Sequence, residues 1–479
     1  MSRYLITIGL ETHVQLKTKT KMFCGCSLAF GAEPNTNVCP VCLGYPGALP
    51  VMNREAVKLT VMSGLMLGCE ISRSSTFDRK NYFYPDMSKD YQISQQARPL
   101  CLGGGVTIQL PQGPKRIRIN HIHLEEDAAK INHYARFSGV DFNRCGTPLM
   151  EIVSEPDMAS PEEAMAYLQA LRQILVYAGV SDCNLEEGNL RCDVNISVRP
   201  EGQEALGTRT EIKNMNTFKG ISAALDYEIA RQLATVARGG VIVQETRRWD
   251  PDLGETQSMR TKENAHDYRY FPEPDLVPVA LGSELVEAWR ASLPELPSVR
   301  RERMMAEYGI PGYDAGVLAD AKENADFFEA AARLCGPGQG KTVSNWFMTE
   351  IMRLLSETGK TVSQCALTPE ALAELVTLVD RRVINGPTAK ELLPELFRDG
   401  GMPGALVQAR GLGQVSDASA LEAFVEQALR ENAKSVDDFK AGKKAAAGFL
   451  VGQVMKLSKG KADPQQVGKL VAEKLAKLA

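Results

Sequence analysis

Hydrophobic and polar positions alternate along several short stretches in the first half of the chain. From Ile6 to Lys17, Ile6, Ile8, Leu10, Thr12, Val14 and Leu16 fall on one side of an extended strand, and Thr7, Gly9, Glu11, His13, Gln15 and Lys17 on the other. The same period returns from Arg191 to Arg199, with Cys192, Val194, Ile196 and Val198 inward and Arg191, Asp193, Asn195, Ser197 and Arg199 outward. A third such strand, Thr208 to Lys213, carries Arg209, Glu211 and Lys213 together. Arg54 to Gly68 has helical spacing, and Ser160-Pro161-Glu162-Glu163 opens a helix running to about Ala178, with a serine cap, proline at the first position and glutamates at the positive end of the helix dipole. Gly103-Gly104-Gly105 reads as a hairpin turn between short strands.

Near Leu293-Pro294-Glu295-Leu296-Pro297 the texture changes. Beyond it strand alternation nearly vanishes, helix starts such as Leu367-Thr368-Pro369-Glu370 recur, and Gly400-Gly401-Met402-Pro403-Gly404 makes a second break. The pattern predicts an α+β chain: a mostly antiparallel-sheet domain over residues 1–293, an all-helical domain over 294–408 and a small helical tail domain over 409–479.

A length of 479 residues with 44% hydrophobic content supports several cores, and a net charge of -4 excludes a global basic field, so any RNA contact must be local. No apolar run approaches a membrane span, and the amino terminus enters Tyr4-Leu5-Ile6-Thr7-Ile8 without a leader pattern, which predicts a cytoplasmic protein with no membrane partner. Eleven cysteines, an odd count, predict reduced thiols. Four of them pair off as Cys24-Gly25-Cys26, then twelve residues, then Cys39-Pro40-Val41-Cys42-Leu43-Gly44. Two thiolate pairs at this spacing, the second with the glycine of a zinc knuckle, predict a structural zinc on Cys24, Cys26, Cys39 and Cys42; with four protein ligands it leaves no position for water.

Charge concentrates between Asn120 and Val153, which holds three of the five histidines and the run His121-Ile122-His123-Leu124-Glu125-Glu126-Asp127. Glu151 shares its strand face with Leu149 and Val153, an apolar setting in which a lone carboxylate is costly, so either an arginine or a metal must answer it. Glu11 and His13, side by side, are either a solvated edge or a divalent-cation site. Phe77 to Asp86 packs Arg79 and Lys80 among four aromatics, as a packed loop or as a nucleotide contact. Merged on one sheet, the mixed faces form a platform of acids ringed by cations, the layout for divalent metal plus phosphate. From Lys434 onward ten lysines stand against four acids, which suits either an RNA backbone or a solvated helical tail. Gly336 to Thr342 and Thr358 to Thr361 imitate phosphate loops, but Cys335 and Leu354 occupy the position that needs glycine, and both segments read as loops.

The segment Val140-Asp141-Phe142-Asn143-Arg144-Cys145-Gly146-Thr147-Pro148-Leu149-Met150-Glu151-Ile152 resembles the signature of the B subunit of the bacterial aspartyl/glutamyl-tRNA amidotransferases. So do Gly9-Leu10-Glu11-Thr12-His13-Val14, Asp78 to Pro85, His123 to Asp127, Asp267 to Asp275 and Gly448 to Gln453, a likeness spanning nearly the whole chain. The resemblance implies a cradle domain with a kinase and transamidase site, a helical domain and a tail. It implies a ligase in which ATP phosphorylates the side-chain carboxylate of Asp-tRNA(Asn) or Glu-tRNA(Gln) and glutamine-derived ammonia displaces the phosphate. The expected partners are the family's amidase subunit, its small third subunit, the misacylated tRNA and the non-discriminating aminoacyl-tRNA synthetase. By this resemblance Glu11, His13, Glu125, Glu126 and Glu151 carry catalysis and magnesium, joined in holding magnesium by Asp193 and Glu211. Arg79, Lys80, Arg191 and Arg209 are the nucleotide candidates by charge, and Lys443, Lys444, Lys456 and Lys459 the tRNA candidates. The competing reading is a zinc-containing tRNA-binding scaffold without catalysis; a stand-alone metal hydrolase would need an open zinc site.

Overall fold

The computed structural model describes residues 4–185, 187–261, 265–413, 418–440, 443, 445–458 and 462–478. Two compact units divide between Leu296 and Pro297. In the first, the alternating stretches become strands of one ten-stranded sheet. Its centre runs Thr210–Lys213, Leu190–Pro200, Tyr4–Gln15, Pro148–Ser154 and Gly113–Glu126, each antiparallel to its neighbour. One pairing is parallel, Thr210–Lys213 with Glu245–Asp250, and the helix Phe218–Ala237 supplies the crossover that a parallel pair requires. Gly103 and Gly104, both at positive φ, connect two strands that pair with Gly113–Glu126 instead of with each other, so the expected hairpin turn is a step along the edge of one long strand.

The sheet has two unlike sides. Ile8, Leu10, Val14, Ile122, Leu124, Met150, Ile152, Val194 and Ile196 pack with Leu168, Leu171 and Leu175 of the helix Pro161–Tyr177 and with Ile221 and Leu225 of the next. Truncating one of these fully buried leucines to alanine costs about 2–5 kcal/mol. Ser160 Oγ caps the Pro161–Tyr177 helix by accepting the Glu163 amide at 3.3 Å. With helices covering the apolar side, every second residue of five adjacent strands is presented on the other.

The second unit is helical among its described residues, with one apolar cluster around Phe328, Phe347, Leu372 and Leu393 and a separate one around Leu421, Val425, Leu450 and Val471. The Gly336 to Thr342 segment is a turn only as far as Gln339; Lys341 and Thr342 already belong to the helix Gly340–Trp346. Among the described residues no helix is long and apolar enough to cross a membrane.

Candidate active site

Register brings the acids together. His13 lies opposite Glu151, which lies opposite His123, while Glu125 faces Leu149, so these side chains leave the same side of three adjacent strands. His13, Glu125 and Glu151 have ligand atoms within 4.8 Å of one another. On the other side of the amino-terminal strand, Glu11 pairs with Asp193, and Asn195 with Glu211. Glu11, Asp193 and Glu211 form a second group with the same 4.8 Å spread. The set expected to hold magnesium is therefore two clusters sharing one strand. Glu151 sits on the polar side: Met150 and Ile152 join the apolar cluster, whereas Leu149 and Val153 do not, which corrects the apolar face expected for it.

Two histidines and Lys213 already answer these acids, so a divalent metal would enter with loss of the His13 proton. Burial, then repulsion from Glu151 and Glu211, raises the Glu11 pKa although the Asn195 amide donates to it at 2.8 Å. Burial works against a charged His13, but Glu151 and Glu125 outweigh it and push its pKa up to about 9. His123 Nε2 stands 3.3 Å from Glu151 and its pKa rises to about 10, again against burial and chiefly through Glu151. The paired histidines hold Glu151 well below the usual carboxylate range, although burial alone would raise it. In the second cluster Lys213 reaches Asp193 at 2.5 Å and Glu211 at 3.5 Å. The donor chemistry fits divalent metals: an all-carboxylate trio suits magnesium, and the imidazole-carboxylate trio accepts magnesium or a softer ion.

Both clusters fall inside residues 6–287, which match the family model described as the GatB/GatE catalytic domain; residues 326–475 match a second, described as the GatB domain. The chain belongs to the B-subunit family of the tRNA-dependent amidotransferases. It is 53% identical over 477 residues to the aspartyl/glutamyl-tRNA(Asn/Gln) amidotransferase B subunit of Caldanaerobacter subterraneus subsp. tengcongensis, covering 99% of this chain and 100% of that one. It is 50% identical to the B subunit of Carboxydothermus hydrogenoformans over 100% of both, and 51% identical to that of Geotalea uraniireducens over 99% of both.

Not every candidate residue reaches the polar face with its charge free. Glu126 follows Glu125 on the strand and so points the other way, where Lys89 meets it at 2.5 Å and the Ile93 amide at 3.0 Å. It is a buried partner of Lys89, not a neighbour of the other acids. Arg79 is clamped by Glu273 at 2.8 and 2.9 Å and by Asp275 at 3.2 Å, over the Tyr91 ring, which commits its Nε and Nη2 to carboxylates instead of a nucleotide. Lys80, on the opposite side of that strand, has no acid within ion-pair distance among the described residues; it lies over Tyr268 at 4.9 Å in the field of Glu125 and Glu151. Arg191, across the sheet from His13, is held at 2.8 Å by Asp127, and its buried Nε has no partner. Arg209 is exposed and lines a cleft of about 210 Å³ with Glu11 and Asn195. In the tail Lys456 is exposed and Lys443 pairs with Asp438 at 2.9 Å; Lys444 and Lys459 lie outside the described residues. Sequence reasoning assigned no site role to His123, Asn195, Lys213 or Asp127, although the first three share strand parity with chosen neighbours.

The four cysteines converge, with their sulfurs within 4.8 Å of one another. The Cys39 amide donates to Cys42 Sγ at 3.2 Å, and Lys21 Nζ lies 3.5 Å from the same sulfur. Donation from Cys24, from the Cys39 backbone and the charge of Lys21 lower the Cys42 pKa from its ordinary value, against burial, which favours the thiolate that a metal requires. Gly44 turns at φ +70, where a Cβ would stand 2.9 Å from the Ser88 carbonyl; its own amide goes to Val41 O, so the sulfur-directed amide of this knuckle is that of Cys39. A tetrathiolate of this kind fits zinc.

Proposed function

We propose that this chain is the kinase and transamidase component of a tRNA-dependent amidotransferase acting on Asp-tRNA(Asn) or Glu-tRNA(Gln), its relatives being named for those substrates. The observation that carries the reading is the pair of three-ligand clusters on one sheet face. His13, Glu125 and Glu151 would hold one magnesium ion, and Glu11, Asp193 and Glu211 another. Magnesium, when bound, neutralises the triphosphate and polarises its terminal phosphoryl group.

The residues of the chain do the rest. Lys80, Arg191 and Arg209 border the clusters and screen the carboxylate from the triphosphate, two like-charged reactants that otherwise repel. A side-chain carboxylate oxygen of the aminoacyl group attacks the terminal phosphorus, giving an acyl phosphate and ADP. Ammonia, released from glutamine by the amidase partner, adds to the carbonyl, phosphate departs, and a proton is lost to leave the amide. No covalent nucleophile is required of this chain. A small third component completes the expected assembly, zinc on the four cysteines braces the cradle, and the tail lysines contact tRNA.

Reconstitution with both partner subunits and each misacylated tRNA, with and without ATP, tests the reading. Glu151→Gln abolishes ATP-dependent amide formation while glutamine hydrolysis persists; equal loss of both activities refutes the assignment. The four-cysteine site counts against a stand-alone metal hydrolase and leaves one competing reading, a zinc-containing tRNA scaffold without catalysis. Amide formation that survives removal of Glu11 and His13 would select it.

A further inference from the structure

Between Asp127 and Arg144 the chain leaves the large sheet and returns to it. The excursion is a two-stranded hairpin, Lys130–His133 against Ser138–Asp141, that pairs with no other strand among the described residues. Both roots are fixed. Arg144 grips Asp127 at 2.7 Å through two nitrogens, and Asn35 of the cysteine-bounded loop donates to Val140 O and accepts from the Phe142 amide. The tip is apolar: Tyr134 and Phe137 stack on each other, with centroids 4.7 Å apart and planes 29° apart, while 57% and 66% exposed.

A lone exposed hairpin is marginally stable, and two large rings displayed on one surrender burial that a merely structural pair would seek. Its charge is one-sided. Lys130, His133 and Arg136 are exposed, and neither Lys130 nor Arg136 has an ion-pair partner among the described residues. The single acid of the hairpin, Asp141, is turned to the backbone amides of Asn35 and Asn143. Stacked rings flanked by unpaired cations are the surface that unpaired nucleic-acid bases recognise, the rings taking the base faces and the cations the phosphates. Four residues per arm give the hairpin a length of roughly 14 Å, rooted between a strand that ends at Glu126 and one that begins at Pro148.

We propose that the Tyr134–Phe137 tip is a stacking platform for the unpaired bases just before the aminoacylated terminal adenosine of the tRNA, with Arg136 and Lys130 on the adjoining phosphates. The proposal rests on the function given above and deepens it: the hairpin would set how the 3′ end enters the site.

The test uses the complete enzyme with both partner subunits and two readouts. In steady state, the Tyr134→Ala/Phe137→Ala double variant raises KM for aminoacyl-tRNA roughly tenfold, with KM for ATP, glutamine hydrolysis and the thermal midpoint unchanged; Tyr134→Trp restores the parent value. In direct binding, a labelled single-stranded RNA ending in CCA loses affinity for the double variant, and Arg136→Glu flattens the salt dependence of the remainder. Unchanged RNA binding together with unchanged KM overturns the platform. So does loss of the amidase partner from the purified variant complex, which would make the tip a protein-docking surface. The RNA-binding readout stands even if the parent enzyme fails to amidate, an outcome that would strike the function and not the hairpin.

Discussion

Asp127 is the residue whose loss has the best-defined consequence. Its side chain is 7% exposed and accepts Arg144 Nε and Nη2, both at 2.7 Å, and Arg191 Nη2 at 2.8 Å. Burial would raise its pKa, but the two arginines hold it below the usual value. Asp127→Asn keeps the shape, removes the charge and aims an amide N–H₂ at a guanidinium. Breaking a fully buried pair costs about 3–5 kcal/mol. Here Arg144 and Arg191 remain 36% and 40% exposed and regain water, which sets the expected loss near the lower end, about 3 kcal/mol. For a unit of this size that is a fall of roughly 6 °C in the unfolding midpoint. Arg191 also loses the carboxylate that anchors it beside His13, so KM for ATP in the reconstituted enzyme rises by about tenfold while glutamine hydrolysis holds. Scanning calorimetry and steady-state amidation measure the two effects. A midpoint within about 1 °C of the parent and an unaltered ATP dependence would refute the argument that this carboxylate holds the arginine in place.

Three further outcomes follow from the same geometry. In a manganese titration followed by electron paramagnetic resonance, Glu125→Gln weakens one of two sites, whereas Glu126→Gln, on the far side of the strand, leaves both intact. Metal analysis returns one zinc per chain, and Cys39→Ser removes it and speeds deuterium exchange at the Asn35 and Asn37 amides, which now donate to Asp141 and Asn143. In the helical unit, burial raises the Glu329 pKa but Arg303 and Arg300 more than offset it and hold it below 4.5, so its stabilisation is complete above that value and disappears as pH falls through the lowered one. The unfolding midpoint of the parent therefore drops on acidification below about pH 4.5, and Glu329→Gln flattens that drop; parallel curves would exclude the mechanism.

What could be read from the residues alone followed the range of each interaction. Alternation placed Glu11 with His13 and Arg191 with Asp193 correctly, because period two is a local property of the strand. Cysteine spacing likewise pointed to the cluster that the fold assembles. Failures came where the partner lay far along the chain, or where a motif was carried over whole without regard to strand parity. Arg79 is answered by Glu273, 194 residues away, so its freedom could not be judged from its own segment. Glu125 and Glu126 are adjacent in the motif, yet a strand turns consecutive side chains to opposite faces, and only one of the two meets the other acids. Lys213 stands beside Glu211 in the sequence, but only the pairing of its strand with Leu190–Pro200 brings it onto Asp193.

The cysteine cluster and the acid clusters, chemically independent, are mechanically joined by the signature segment. Asn143 Nδ2 donates to Glu33 O and its Oδ1 accepts the Asn37 amide, while Lys21 bridges Cys42 Sγ and Phe142 O, so the loop spanning the two cysteine pairs is tied to the residues just before Arg144. Arg144 holds Asp127, and Asp127 holds Arg191 beside His13. Each link is a hydrogen bond or ion pair with a buried or half-buried partner, so slack introduced at the sulfurs is passed along a chain of fixed groups before it reaches the polar face. A metal held by all four sulfurs would constrain the loop that constrains the guanidinium, and the hairpin between Asp127 and Arg144 shares the same two anchors.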